Sequence, residues 1–352
     1  MKIALITDTH FGARSDNLTF DSFFRDFYTH VFFPTLEKNQ VQTIIHLGDI
    51  FDRRKYINFN TLKNCREYFF DELQRRKIAM HLLVGNHDTF FKNTNAVNSP
   101  DLLLDSYDNI CSYSEPFELT VANNTILLMP WICSDNYQQC LDMIESTESK
   151  RLFGHLEISG FVMHRGLENE GGLDPKIFSK FDQVLSGHFH HRSTKGNITY
   201  LGNPYELTWN DYDDPRGFHL YDTSTHELEF IENPYRMFHR IIYDDSNNLN
   251  KEQDLSSLRE RMIKLIVANK TDFSEFDRFI DRLYAHNPLE LKIIEDFSEF
   301  ETEAIDETNL NLEDTMTLLS QYVDSLETDA DKDRIKTLLR TLYVEAQDYE
   351  TT

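Results

Sequence analysis

The segment Met80-His81-Leu82-Leu83-Val84-Gly85-Asn86-His87-Asp88 is a short, mostly apolar run that ends on a glycine and then offers an amide, an imidazole and a carboxylate in succession. An apolar stretch of that length, closed by glycine, reads as a buried strand. The residues after it are too rich in metal-ligating types to be explained as a turn alone. The same arrangement occurs four more times. Ile3–Thr7 runs into Asp8-Thr9-His10, Thr43–Leu47 into Gly48-Asp49, Leu152–Phe153 into Gly154-His155, and Val184–Ser186 into Gly187-His188-Phe189-His190. Ligands of open α/β sheets bind at the carboxyl ends of strands, so five such ends predict one shared crevice. Oxygen and imidazole donors without a thiolate suit Mn²⁺, Fe²⁺ or Zn²⁺ better than a soft metal.

Working outward, the segments between these strands are helical in pattern. Phe20, Phe23, Phe24, Phe27, Tyr28 and Val31 fall at helical spacing after Thr19, a possible N-cap, and Leu62, Cys65, Tyr68, Phe69 and Leu73 form a second stripe. Thr125–Met129 adds another strand. Strands alternating with amphipathic helices predict a layered α/β domain, with the aromatic stripes as core packing.

At 352 residues the chain is long enough for two domains, and its 40% apolar and 27% charged fractions are those of a globular protein. Four cysteines without CxxC spacing suggest reduced thiols of a cytoplasmic protein. No apolar run approaches a membrane span, and the N-terminus reaches Asp8 too soon for a signal peptide. Disordered, fibrous, secreted and membrane classes are thereby disfavoured. The formal charge of -25 argues, at first sight, against a polyanionic partner. Twelve of those charges lie between Glu295 and Asp329, where there is no Lys or Arg, which leaves -13 for the rest.

Turn signals and short strands occupy about 205–240, and then Ile263–Val267, a helix marked by Phe276, Phe279, Ile280, Leu283 and Tyr284, and Leu289–Ile294 read as a β–α–β unit. The expected divisions are a main domain over 1–240, a small domain over 241–295, an acidic linker over 296–315 and amphipathic helices over 316–352.

The five motifs together resemble the calcineurin-like metallophosphoesterases, whose signature is D-x-H, G-D, G-N-H-[DE], G-H and G-H-x-H. The resemblance implies a four-layer α/β sandwich of two mixed sheets flanked by helices, with two divalent metal ions, manganese first and Mg²⁺ or Fe²⁺ as alternatives. Carried onto this sequence, one ion takes Asp8, His10, Asp49 and His190, and the other takes Asp49, Asn86, His155 and His188, with Asp49 bridging. Two such ions clamp a phosphate and activate water for in-line attack. His87 remains beside the site as the group that stabilises developing charge and protonates the leaving oxygen, oriented by Asp88 or Asp52. His155 is preferred to His164 as the fourth-loop ligand because it directly follows Gly154, and His191 reads as a surface residue.

Gly48-Asp49-Ile50-Phe51-Asp52, Gly154–Gly160, Tyr200–Pro204 and Pro215–Asp222 narrow the resemblance to SbcD-type DNA-repair nucleases, and to their tailed-phage branch. That group implies a 3′–5′ double-strand exonuclease and single-strand endonuclease in a recombination and repair complex. It also implies a homodimer, with the phenylalanine-rich early helices as contact, and an SMC-like ABC-type ATPase partner docking on the C-terminal helices. No Gly-x-x-x-x-Gly-Lys-Ser/Thr loop is present, so ATP dependence would come from that partner. A cytoplasmic location is implied, the host cytoplasm for a phage-encoded member. Arg14, Arg53, Arg54, Lys55 and Lys92 follow ligand loops and are placed to grip DNA phosphates. Asp52-Arg53-Arg54-Lys55 departs from the histidine- or proline-rich segment often found there, and Asn203 replaces the usual serine or threonine, a change expected to matter little. A metallophosphatase or cyclic-nucleotide phosphodiesterase of the same fold is the alternative activity, and a non-catalytic scaffold a third reading.

Overall fold

Side chains alternate along Lys2–Ile6, so Ile3 and Leu5 point to one side and Ala4 and Ile6 to the other, and all four are buried. A strand covered on both faces belongs to an inner layer. The computed structural model describes residues 1–164, 167–246 and 254–295 with positions 332 and 336; side chains at 163–164 and 167–168 fall outside that description. The first sheet has six strands, in spatial order Leu228–Glu232, Gly217–Asp222, Lys2–Ile6, Thr43–His46, Ala79–Leu83 and Ile110–Tyr113. The last four are parallel and the first two antiparallel. The second sheet runs Ser193–Lys195, Ile198–Tyr200, Gln183–Gly187, Arg151–His155, Asn124–Met129 and Phe117–Val121, parallel at its centre with antiparallel edges.

Ile3, Leu5, Ile45, Leu128, Phe153 and Leu185 interlock between the sheets. The opposite face of the first sheet packs on helices, through Ala4, Ile6 and Ile44 against Phe20, Phe24, Phe27, Tyr28 and Phe69. The opposite face of the second sheet packs on Tyr137–Ser146 through Cys140 and Ile144. The result is the helix–sheet–sheet–helix sandwich that the strand pattern and the resemblance predict.

The two aromatic helices each contain one π-helical turn. Leu18–Phe27 passes through Tyr28–Phe32 into Phe33–Lys38, and Phe59–Cys65 through Arg66–Phe70 into Asp71–Arg76. The two wide turns meet at Tyr28 and Phe69, whose ring centroids are 4.7 Å apart. The first helix is capped by Asn17, whose side chain accepts from Thr19 N and Phe20 N, and not by Thr19. Phe20, Phe23, Phe24 and Phe27 are at most 3% exposed, so the stripe is consumed by the core, while Leu18 and Phe59 at the starts of the two helices are exposed.

A third, all-parallel sheet joins Phe238–Asp244, Met262–Asn269 and Glu290–Ile294, with the helix Phe273–Ala285 over it. Its first strand was not anticipated and starts before the 240/241 boundary. Phe238 packs on Trp209 and Phe20, so this unit rests on the main sandwich. The linker 296–315 and helices 316–352 lie outside the described residues, apart from Lys332 and Lys336. Among the described residues no helix is long and apolar enough to cross a membrane.

Glu206 ties the two units together. It is fully buried, and its Oε2 accepts from Met237 N (2.6 Å) and Phe238 N (3.0 Å). Burial pushes its carboxyl up to about 7, against the pull of those amides and of Arg236. Between the ordinary glutamate value and that pKa, the folded chain holds a proton that the unfolded chain releases. Stability should therefore fall as pH rises through this window and level off above it, by up to about 3 kcal/mol. Glu206→Gln should remove this part of the fall, which thermal melts of both proteins across about pH 4–8 will show; parallel curves would refute it.

Candidate metal centre

The five glycine-marked strand ends converge. Asp8, His10 and His190 place one ligand atom each within 4.8 Å of one another, and Asp49, His155 and His188 form a second such group. His10 Nε2 and His190 Nε2 are 3.0 Å apart, and each is 4.0 Å from Asp8 Oδ1. In the other group His155 Nε2 lies 3.3 Å from Asp49 Oδ2, while Asn86 Oδ1 lies 2.9 Å from His155 Nε2 and 3.0 Å from His188 Nδ1. Asp49 Oδ2 is also 3.9 Å from His10 Nε2, which sets this carboxylate between the groups. His164 lies outside the described side chains.

Local backbone explains the convergence. Asp8, His10, Asp49 and His188 all have positive φ, at 52°, 42°, 56° and 90°. That conformation is costly for such residues and is held here by the packed ends of the strands. A Cβ on Gly85 would collide with Asp49, and one on Gly187 with Thr7 and Asp8, so glycine is required where the loops close on each other.

The surroundings fix which nitrogens face inward. His155 Nδ1 is 2.8 Å from Leu47 O; a carbonyl only accepts, so Nδ1 carries the proton and Nε2 turns to Asp49 and Asn86. Burial holds His10 and His188 down to about 3, neutral with lone pairs available. His155 is different: burial opposes its charge most strongly, but Asp49, Asp8 and the Leu47 carbonyl together overcome it and lift it to about 9. Burial likewise raises Asp8, to about 6, whereas Asp49 is held well below the usual carboxylate range because the histidines around it, His155 first, overcome the burial penalty. The lone pairs of the buried neutral His10 and His188, joined by His155 Nε2 once a cation displaces its proton, converge on buried carboxylates and form a donor set that suits hard or borderline divalent cations. The residues present therefore fit two such ions.

His87 stands over this set, its ring 4.9 Å from that of His10, and its backbone N–H donates to Asp49 Oδ1. Its Nδ1 lies 2.7 Å from the backbone carbonyl of Asp52. Of the two residues expected to orient the imidazole, Asp52 does so, through its main-chain carbonyl, while its carboxylate lies 3.7 Å from His10 Nδ1. Asp88 has another task. Its two oxygens accept from the amides of Asp49, Ile50, Phe51 and Gly85, at 2.8–3.2 Å, so it clamps the Asp49 loop to the Gly85 loop. Asp88→Asn would turn one acceptor into a donor facing amides, at a cost of about 1–3 kcal/mol for each amide left unpaired. Mn²⁺ affinity should drop roughly 10–100-fold, as for other residues that support ligands. Titration calorimetry checks this, and unchanged affinity would contradict it.

The cationic residues are less uniform. Arg14, Lys55 and Lys92 are exposed, whereas Arg53 and Arg54 are half-buried. Arg53 is already engaged by Asp16 (3.4 Å) and donates to the Tyr56 hydroxyl, and Arg14 lies over the Phe20 ring. Arg54 is near enough to His87 for its charge to oppose protonation there. Of the other histidines, His46 bonds Thr9 Oγ1, His81 the Tyr113 hydroxyl and His191 the Asp214 carboxylate.

Arg216 was missed by sequence reasoning. It is buried, pairs with Asp211 (2.7 Å) and Asp214 (2.8 Å), and donates to His190 O and Asn203 Oδ1. It thus braces the loop that carries His188 and His190. Asn203, expected to matter little, is one of its acceptors.

These features are those of a two-metal phosphoesterase, and the family comparison agrees: the model of the calcineurin-like phosphoesterases matches residues 1–220. The chain belongs to that family. It is 32% identical over 353 residues to Exonuclease subunit 1 of enterobacteria phage T4, covering 98% of this chain and 99% of that protein. It is also 28% identical over 210 residues to the DNA double-strand break repair protein Mre11 of Sulfurisphaera tokodaii, covering 54% of this chain and 49% of that protein. A third relative is an SbcCD nuclease subunit of Staphylococcus saprophyticus, 22% identical over 234 residues, with 56% and 59% covered.

Proposed function

We propose that the chain is the nuclease subunit of an SbcCD-like complex, a metal-dependent phosphodiester hydrolase acting on DNA as a 3′–5′ double-strand exonuclease and single-strand endonuclease. The observation that carries this reading is the pair of donor groups at the convergent strand ends, in a chain similar over nearly its whole length to a phage exonuclease subunit. Asp8, His10 and His190 with Asp49 would hold one ion, and Asp49, Asn86, His155 and His188 the other, with manganese the preferred metal. When bound, the ions supply Lewis-acid polarisation of the phosphodiester and activate water as the nucleophile.

The protein's own part is positional and protonic. With Nδ1 committed to Asp52 O, His87 presents Nε2 to the reacting phosphate. Burial disfavours its imidazolium, but Asp49 and the Asp52 carbonyl tip the balance upward, so Nε2 can carry a proton to the leaving oxygen. Arg14, Lys55 and Lys92 supply phosphate contacts at the rim. The ATPase partner docks through the segment 316–352. Copies of the chain pair through the outer faces of the phenylalanine-rich early helices, where Leu18 and Phe59 are 67% and 88% exposed.

The test is hydrolysis by the purified chain with Mn²⁺, with and without the ATPase partner. End-labelled duplex and single-stranded DNA should be shortened. DNA left intact in every case while p-nitrophenyl phosphate is hydrolysed would replace this reading by a small-substrate phosphatase.

A further inference from the structure

The strand Asn124–Met129 also ends at the crevice, although no metal-ligating motif follows it. Met129-Pro130-Trp131 leaves the sheet there, and Trp131 N donates to Val84 O (2.8 Å), the residue before Gly85. The indole is thereby set against the second donor group, with its ring centroid 5.1 Å from that of His188 and 6.1 Å from that of His155. It is only half-buried, so part of it lines the site instead of the core.

The loop between Thr89 and Asn98 is stitched to the same segment. Asn95 Nδ2 donates to Trp131 O (2.8 Å), Asp135 N to Asn93 O (3.1 Å) and Thr94 Oγ1 to Asp135 Oδ2 (2.8 Å). This loop directly follows His87 and Asp88, and it holds two adjacent phenylalanines in water. Phe90 and Phe91 are 42% and 47% exposed, packed edge to face with centroids 4.8 Å apart. Exposed aromatic surface is disfavoured at roughly 25 cal/mol per Å², so such a cluster, on a loop bonded to the Trp131 segment, calls for an occupant.

We infer that Trp131 with the Phe90–Phe91 pair forms a stacking shelf for unpaired nucleobases flanking the phosphate at the metal centre. The inference rests on the nuclease reading and names the form of DNA the site takes. A phosphate needs hydrogen-bond donors and positive charge, which an indole and two phenyl rings scarcely offer; a nucleobase presents a π-face that all three can cover. Bases inside a duplex are already stacked on each other, so the shelf takes single strands and frayed duplex ends. Because every base has such a face, it favours unpaired over paired DNA without choosing sequence.

The chain has two tryptophans, and Trp209 is 7% exposed, so intrinsic fluorescence reports the site. The full chain is titrated in Ca²⁺ with an oligothymidylate and with an abasic oligonucleotide of equal length, binding being followed independently by anisotropy of a 5′ label. The thymine strand should quench emission, the abasic strand should not, and Trp131→Phe should remove the quench. Trp131→Ala and the double change Phe90→Ala/Phe91→Ala should each weaken the thymine strand roughly tenfold and leave abasic binding unchanged. Binding of the thymine strand without quenching overturns the inference. So does equal weakening of both strands, which would mark the rings as structural supports. Failure of both strands to bind overturns the nuclease reading as well.

Discussion

Asp49→Ala should reduce DNA hydrolysis by at least about a thousandfold, the loss of roughly 4 kcal/mol of transition-state stabilisation. The size follows from its position. One carboxylate oxygen reaches toward both donor groups, at 3.3 Å from His155 Nε2 and 3.9 Å from His10 Nε2, and the other anchors His87 N at 2.8 Å. Removing it strips a shared ligand, frees the backbone of His87 and deprives His155 of the partner that keeps it charged in the absence of metal. Mn²⁺ titration should show weakened binding together with the lost rate. A variant that keeps full activity would show that Asp49 does not serve both groups.

The second large effect concerns His87. His87→Ala should lower the rate on DNA about 10²–10⁴-fold, the usual contribution of a general acid, while Mn²⁺ affinity stays near that of the unaltered chain because the imidazole is not among the donors. A leaving group that needs no proton separates this role from packing. On bis(p-nitrophenyl) phosphate the same variant should lose far less, since p-nitrophenolate departs unassisted. Equal losses on both substrates would instead make His87 a structural support for His10, whose ring it contacts edge to face.

The candidate ligands were legible in the sequence because they are signalled locally. An apolar strand, a glycine and a ligand-type residue are adjacent in the chain, and five repetitions can be read without coordinates. The three-stranded sheet was half legible for the same reason: Met262–Asn269, Phe273–Ala285 and Glu290–Ile294 have clear periodicity, while Phe238–Asp244 follows turn signals that masked it. What supports the ligands was not legible, because it joins distant positions. Arg216 braces His190 from 26 residues away, and the carbonyl that aims His87 comes from Asp52, 35 residues away. A backbone acceptor has no signature in side-chain identity. Asp88 was noticed but given the wrong partner, since a carboxylate beside a histidine suggests a pair, and here four amides claim it first. Trp131 lay outside every motif, and only packing against His188 and His155 reveals it.

Charge misled in a similar way. A net value of -25 says little about a crevice whose carboxylates are buried among imidazoles, in a chain whose Arg14, Lys55 and Lys92 are exposed.

Crystals of the chain grown with Mn²⁺ and measured at the manganese absorption edge test the central claim most directly. Two anomalous peaks should appear, one among Asp8, His10 and His190 and the other among Asn86, His155 and His188, with Asp49 touching both. A single peak, or peaks away from these residues, would contradict the two-metal centre on which the nuclease reading stands.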